Sequence, residues 1–392
     1  LNDLAADSLV FEEAIAPGPR TPSAMPSIVS GVPRAPVRHD REDWGRRWES
    51  IDAHLRTYST VAERLRERGY TTVGVTTNPW TTDTGFDRGF DRFFTLEDVV
   101  ERASPSGSWL WRLEGAVRES KAGDYFDVVD KRQWFLRWED YVDLVLDALE
   151  TVERPYFLWV FLLDTHQPYL ASRRFREENS LAGMYYAVAR EFLSDDHAGL
   201  SPGVLRRLER AYRDAVRSVD GFVRRLARSG HLDDAALVFH ADHGEAFGEH
   251  GSFGHESLLY RENVRVPLLV HGPRVPAARV AAPVSLCAVP KLLTTLADGD
   301  RLEPDSHRSP FVVSASEFGE ADCVYGNGWK LVRSGSTREL YRVSRDPTER
   351  SDLAPAYPAV AATLESTLDR CRAPARERAS IRAAIDETEA VL

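Results

Sequence analysis

Across the first three hundred residues, apolar β-branched runs alternate with stretches whose apolar residues recur at helical spacing, and few architectures satisfy that alternation. The clearest strand candidates are residues 71–76 (TTVGVT), 156–163 (YFLWVFLL), 236–240 (ALVFH) and 266–270 (VPLLV). Helical patterns occupy 56–68, 138–151 and 202–230. Strands this apolar need cover on both faces, so the expected fold is α/β, a mostly parallel sheet sandwiched by helices. Beyond residue 300 the texture changes to short strand-like pieces, 311–314, 323–325, 329–332 and 339–343, followed by a helical tail. The expected division is therefore a large α/β domain over 1–300 and a small α+β subdomain, antiparallel in its sheet, over 301–392.

Two segments do not share the alternation. Residues 97–132 have little periodicity and several Gly, Ser and aromatic residues, which suits an insertion over one end of the sheet. Residues 1–11 (LNDLAADSLVF) read as an amphipathic helix, with Leu1, Leu4, Ala5 and Leu9 at helical spacing and no strand before it.

Composition narrows the partners. Sixty-one acidic residues against fifty basic ones leave a net charge of −11, and all but four of the basic residues are arginine. Such a field repels polyanions, so nucleic acid is not an expected partner. No run approaches the roughly eighteen apolar residues of a membrane helix, and no basic region followed by an apolar run marks a leader, so the cytoplasm is the default expectation, with export as the alternative because the beginning of the chain is expected to be missing. Cys287, Cys323 and Cys371 lack CxxC spacing and support neither a disulfide framework nor a thiolate metal site.

The densest set of ligand-type residues is FHADHGEAFGEHGSFGH, residues 239–255. A buried strand ends at His240, and Asp242, His243, Glu245, His250 and His255 follow among four glycines. Polar groups beyond the carboxyl end of a strand are candidates for a site, and an adjacent Asp and His can share a divalent ion where glycines permit the turn. The structural alternative is a polar loop whose Asp and His cap helix ends.

Residues 241–273 (ADHGEAFGEHGSFGHESLLYRENVRVPLLVHGP) resemble the metal-binding segment of the sulfatase family within the alkaline phosphatase superfamily, and residues 339–353 (ELYRVSRDPTERSDL) resemble that family's C-terminal strand and DP-x-E turn. The resemblance implies that Asp242 and His243 ligate one divalent metal. Calcium is the ion it implies, with manganese, magnesium and zinc as alternatives. It also implies that His255 contacts the transferred group, with His250 a substrate-binding candidate in the same loop. Counting back ten positions from Gly31 in TPSAMPSIVSG places Thr21 where the family keeps its modified Cys or Ser nucleophile. Thr21 cannot become formylglycine, yet a hydroxyl at a helix N-terminus, with Pro22 in the first turn, sits in a field that favours an alkoxide and an incoming anion. An N-cap threonine is the alternative. LLDTHQPY, residues 162–169, resembles the family's D-x-H-x-P-Y and assigns His166 to the ester or leaving group. TTNPW, residues 76–80, makes Asn78 a further candidate contact, whereas His39 and Asp164 read as structural.

The departures bear on chemistry as well. Met25 stands where the family has an arginine. LNDLAADS resembles the helix that follows the family's first strand, so the strand whose aspartates bridge the metal is expected to be missing, leaving Asp242, His243 and Thr21 as ligands. The expected activity is metal-dependent hydrolysis of a sulfate ester through Thr21, on a small molecule or a glycan. Phosphomonoester or phosphodiester hydrolysis is the first alternative, and a non-catalytic protein that binds sulfated or phosphorylated glycans is the second.

Overall fold

A computed structural model describes residues 1–37, 43–102, 136–192, 194, 199–255 and 257–389. His39 and most of the expected 97–132 insertion lie outside the described residues; of the latter, the helix Leu96–Arg102 is described. The chain forms two compact units, residues 65–233 with Leu1, and residues 2–64 with 234–392.

In the first unit the strand Thr71–Thr76 pairs in parallel with Arg92–Phe94 on one side and Tyr156–Phe161 on the other. The helix Trp138–Thr151 starts where expected because the Asp164 carboxylate accepts the Trp138 amide at 3.2 Å, satisfying a donor that the first turn leaves open. Its Trp138 indole donates to Ser218 on the helix Pro202–Ala227 at 2.9 Å. That helix opens on Ser201 and Pro202 and buries Val204, Leu208, Ala211, Ala215, Val219, Phe222 and Leu226, a stripe at helical period that fixes which face turns inward.

In the second unit the strand Leu9–Ile15 is central. It pairs in parallel with Val284–Ser285 and Ala278–Val280 and antiparallel with Arg265–His271, which pairs antiparallel with Leu237–His240. This corrects the expected helix over 1–11: only Asn2–Ala6 is helical, and the chain is extended from Leu9. Leu9 and Phe11 are buried on a two-residue period, and the ladder bonds of three neighbouring strands outweigh a helical spacing that covers barely two turns. The expected helix over 56–68 is likewise two helices, Trp44–Thr57 and Val61–Arg66. The break lies at Thr60 and Glu63, whose side chains each accept the other's backbone amide at 3.1 and 2.8 Å, a capping box that starts a new helix.

The four-stranded antiparallel sheet, Phe311–Ala315, Ala321–Gly326, Trp329–Ser334 and Thr337–Tyr341, belongs to this same unit. Alternation gives it two buried faces. Val324, Leu331 and Leu340 pack on Ala361, Leu364 and Leu368 of the C-terminal helix, while Val312, Cys323, Tyr325 and Tyr341 pack with Ile15, Leu259 and Val264. Among the described residues, no helix is long and apolar enough to cross a membrane.

Candidate active site

The site grows from the carboxyl end of Leu237–His240. Gly244 follows His243, and a Cβ there would lie 2.0 Å from the Glu262 carbonyl oxygen, so only glycine lets the loop lie against residues 262–263. The Gly244 backbone amide donates to the Asn263 carbonyl at 2.8 Å, and the buried Asn263 side chain donates its Nδ2 to the Gly254 carbonyl at 2.9 Å. These two bonds tie both ends of the 244–254 loop to one short segment and bring His243 and His255 together, with ring centroids 4.6 Å apart.

Thr21 begins the helix Thr21–Ser30, with Pro22 in its first turn. The Thr21 Oγ1 lies 3.1 Å from His243 Nε2. The tautomer follows from the other ring nitrogen: His243 Nδ1 is 2.8 Å from the Gly244 carbonyl, an acceptor only, so Nδ1 carries the proton and Nε2 presents a lone pair. Burial lowers the His243 pKa and keeps the ring neutral, although the charge of Asp242 opposes that shift. Asp242 Oδ2 is 3.6 Å from the same Nε2 and is buried without a hydrogen-bond partner.

His255 differs in character. Its Nδ1 lies 2.9 Å from Glu245 Oε1. Burial disfavours its charge, but the charge and hydrogen bond of Glu245 outweigh that and raise its pKa, with Arg20 acting the other way. A neutral imidazole beside a hydroxyl and an imidazole disposed to hold a proton therefore stand in ring contact.

The structure thus brings Thr21, Asp242, His243 and His255 together and adds Glu245, a residue without a role in the sequence reading although it is the fourth letter of DHGE. His250 lies elsewhere in the loop: its ring stacks on Tyr260 with centroids 3.6 Å apart, and its Nε2 is 3.2 Å from the Thr348 carbonyl. Asn78 and His166 lie in the other unit. The Asn78 side chain accepts the Trp80 amide at 3.4 Å, and His166 Nδ1 lies 2.7 Å from the Gln167 carbonyl.

A divalent ion fits this donor set in kind. An orphaned buried carboxylate oxygen, an imidazole lone pair and a hydroxyl converge at separations near the roughly 3 Å expected between neighbouring ligands of a small cation. Among the described residues, however, no three His, Cys, Asp or Glu side chains form a metal-holding group, so Thr21 is needed as the third donor.

The sulfatase family profile matches residues 1–298, and the chain belongs to that family. It is 26% identical over 277 residues to a choline-sulfatase of Rhizobium meliloti, covering 60% of this chain and 54% of that protein. It is 24% identical over 249 residues to the low-salt glycan biosynthesis sulfotransferase Agl7 of Haloferax volcanii, covering 58% and 55%. The chain thus spans about half the length of these curated relatives. Among solved structures, the phosphonate monoester hydrolase of Agrobacterium radiobacter superposes with a TM-score of 0.66 at 16% identity, covering 95% of this chain and 90% of that one. A 2-O GAG sulfatase superposes at 0.63 and 18%, covering 96% and 86%. The shared fold is that of the alkaline phosphatase superfamily, a mixed α/β architecture with a separate C-terminal antiparallel sheet.

Proposed function

We propose that the chain is a metal-dependent hydrolase of sulfate esters, with Thr21 as nucleophile. The observation that carries this reading is the 3.1 Å approach of Thr21 Oγ1 to the unprotonated Nε2 of a neutral His243 at the first turn of a helix. Thr21, Asp242 and His243 would hold the divalent ion, which when bound supplies Lewis acidity and lowers the pKa of a coordinated hydroxyl. The His243 Nε2 lone pair beside the Thr21 hydroxyl would be taken up as a metal ligand, so Thr21 gives its proton to solvent and its oxygen attacks the sulfur of the ester. The Thr21 O–S bond forms as the bond to the leaving alcohol oxygen breaks, the leaving oxygen takes up a proton from solvent, and His255, held toward its protonated form by Glu245, stabilises charge on the transferred group. Water then attacks the sulfur of the sulfo-threonine, which returns the Thr21 hydroxyl and releases sulfate. We assign this chemistry to residues 1–300 and give 301–392 a supporting part. There the buried Lys330 holds Glu349, whose carboxylate accepts the Arg261 amide at 3.0 Å behind the 244–255 loop.

Thr21 itself favours a second reading, phosphoester hydrolysis. Formylglycine lets a sulfatase expel sulfate by hemiacetal collapse, a route closed to threonine, whereas phospho-threonine is cleaved by direct attack. A sugar hydroxyl in place of water would make the same intermediate a transfer step, the activity named for the Haloferax relative.

The test compares a nitrophenyl sulfate with a nitrophenyl phosphodiester, for the native chain and for Thr21→Ala, with metal content measured on both. Turnover should fall by about 10⁴-fold or more in Thr21→Ala, as for removal of other nucleophiles. Faster turnover of the sulfate supports the first reading and faster turnover of the phosphodiester the second. Turnover that survives Thr21→Ala overturns the nucleophile.

A further inference from the structure

The helix that carries Thr21 has an internal proline, and the consequence falls one residue from the nucleophile. In an α-helix the carbonyl of residue i accepts the amide of i+4. For Pro22 that partner is Pro26, which has no N–H and whose ring crowds the carbonyl four residues earlier. Pro22 is buried, so its carbonyl needs another donor. Arg34 supplies one: its Nη1 donates to the Pro22 carbonyl at 3.0 Å, and its Nη2 donates to Ser50 Oγ at 3.0 Å. The Arg34 backbone amide also donates to Ser27 Oγ at 2.9 Å, so one residue grips the helix twice. Behind the guanidinium lies the buried Glu317, 3.7 Å from Arg34 Nη1 and 3.1 Å from Arg47 Nε.

We propose that Arg34 is a positioning residue for Thr21: it supplies the hydrogen bond that Pro26 withholds from the Pro22 carbonyl, and so fixes the turn that presents the Thr21 hydroxyl to His243. The inference rests on the reading of Thr21 as nucleophile. Arg34 touches neither substrate nor reacting atoms and acts only through the backbone of the turn.

The proposal makes a specific rescue available. Pro26→Ala returns an amide at i+4, which can bond the Pro22 carbonyl and make Arg34 dispensable to the turn. The experiment uses the full chain in four forms, native, Arg34→Met, Pro26→Ala and the double variant, and reads amide hydrogen exchange over residues 21–31 together with kcat and KM on a nitrophenyl ester. Arg34→Met should speed exchange by roughly tenfold and lower kcat by roughly ten- to a hundredfold, the cost of a misplaced reactive group, with KM within threefold. Pro26→Ala alone should stay near native, and the double variant should regain native exchange and most of kcat. Unchanged exchange and kcat in Arg34→Met, or a double variant no better than Arg34→Met, overturns the proposal.

Should Arg34→Met fail to fold because Glu317 loses a counter-charge, Arg34→Lys keeps the cation but not the fork that reaches both Pro22 and Ser50. A kcat loss in folded Arg34→Lys that Pro26→Ala reverses supports the proposal, and native kcat overturns it. If exchange follows the rescue pattern while turnover is insensitive to Thr21→Ala, the nucleophile reading alone has failed.

Discussion

Each unit places polar residues just beyond the carboxyl ends of its strands, yet the two sets of loops do different things with them. After Tyr156–Phe161 and Thr71–Thr76, the side chains serve their own backbone. Asp164 caps the Trp138–Thr151 helix, Asn78 closes its own turn on Trp80, and His166 Nδ1 meets the next residue's carbonyl. After Leu237–His240, His243 Nδ1 meets the next carbonyl in the same way, but its Nε2 faces Thr21 and Asp242, and His255 is held by Glu245. A strand-end location is therefore common to both units. Among the described residues, the second unit is where Thr21, Asp242, His243, Glu245 and His255 meet through their side chains, and that convergence is what the proposed chemistry rests on.

If the arrangement around His243 is held from behind, breaking its support should have the largest effect. Lys330 and Glu349 are fully buried, with Lys330 Nζ 2.8 and 2.9 Å from the two Glu349 oxygens, and the same carboxylate holds the Arg261 amide. Lys330→Met leaves a buried carboxylate without its counter-charge and should destabilise the second unit by about 3–5 kcal/mol. Thermal unfolding checks this, and adding Glu349→Gln should recover much of the loss. A smaller loss for the double variant's partner, Glu349→Gln alone, is not expected, because Lys330 would then be the buried unpaired ion.

Within the site, His255→Ala should lower kcat by about 10²–10³-fold, the range for loss of one charge-stabilising donor. Glu245→Gln should have a similar but smaller effect, since it weakens the hold on His255 and leaves the ring in place. Equal effects of His255→Ala and His166→Ala on kcat would erase the distinction drawn between the two units.

The amino-acid string exposes these groups unevenly. DHGE with its glycines marks a site by density alone, and counting back from Gly31 finds Thr21, although 222 residues separate it from His243. The four strand candidates and the 138–151 helix are readable because each is a long, uniform pattern. The strand Leu9–Ile15 is not, because Glu12 and Glu13 fall at a register shift that breaks its alternation. Nor does the string show that His250 would stack on Tyr260 while His255 meets Glu245, since both histidines sit among the same glycines and only the fold selects their neighbours. Pro26 left a signal that periodicity does not register: a proline four residues after a buried carbonyl announces a missing donor.

Asp164 sharpens the contrast through pH. Burial raises its pKa from the ordinary 3.8 to about 7, opposed by the Trp138 amide and reinforced by Glu139 and Asp140, and its Oδ2 is buried without a hydrogen-bond partner. A group whose folded pKa is raised contributes its full stability below the unfolded value, and that stability is lost as pH rises through the folded value. The first unit should therefore weaken between about pH 4 and pH 7 by roughly 2–4 kcal/mol. Asp164→Asn, which retains an oxygen for the Trp138 amide, should flatten that slope. A melting temperature with the same pH dependence in both forms would show that Asp164 is ionised when folded.

The smallest effect is expected at Asn78, and there the comparison is most exposed. Its side-chain oxygen is 3.4 Å from the Trp80 amide, a long bond within a turn that is also held by the Thr81 hydroxyl on the Asn78 carbonyl at 2.7 Å. Asn78→Ala removes only the weaker of these two supports, for about 0.5–1 kcal/mol of stability. If the side chain is spent on its own turn, kcat and KM on a nitrophenyl ester should change less than about threefold, well under 1 kcal/mol of transition-state binding. If Asn78 instead contacts the transferred group, as its resemblance to the family motif implies, the loss should reach about a hundredfold, close to that of a missing charge-stabilising donor. The two outcomes differ by about 2 kcal/mol, more than the turn itself can supply, so a hundredfold loss of kcat with only a small drop in melting temperature would assign Asn78 to the chemistry and end the contrast between the units.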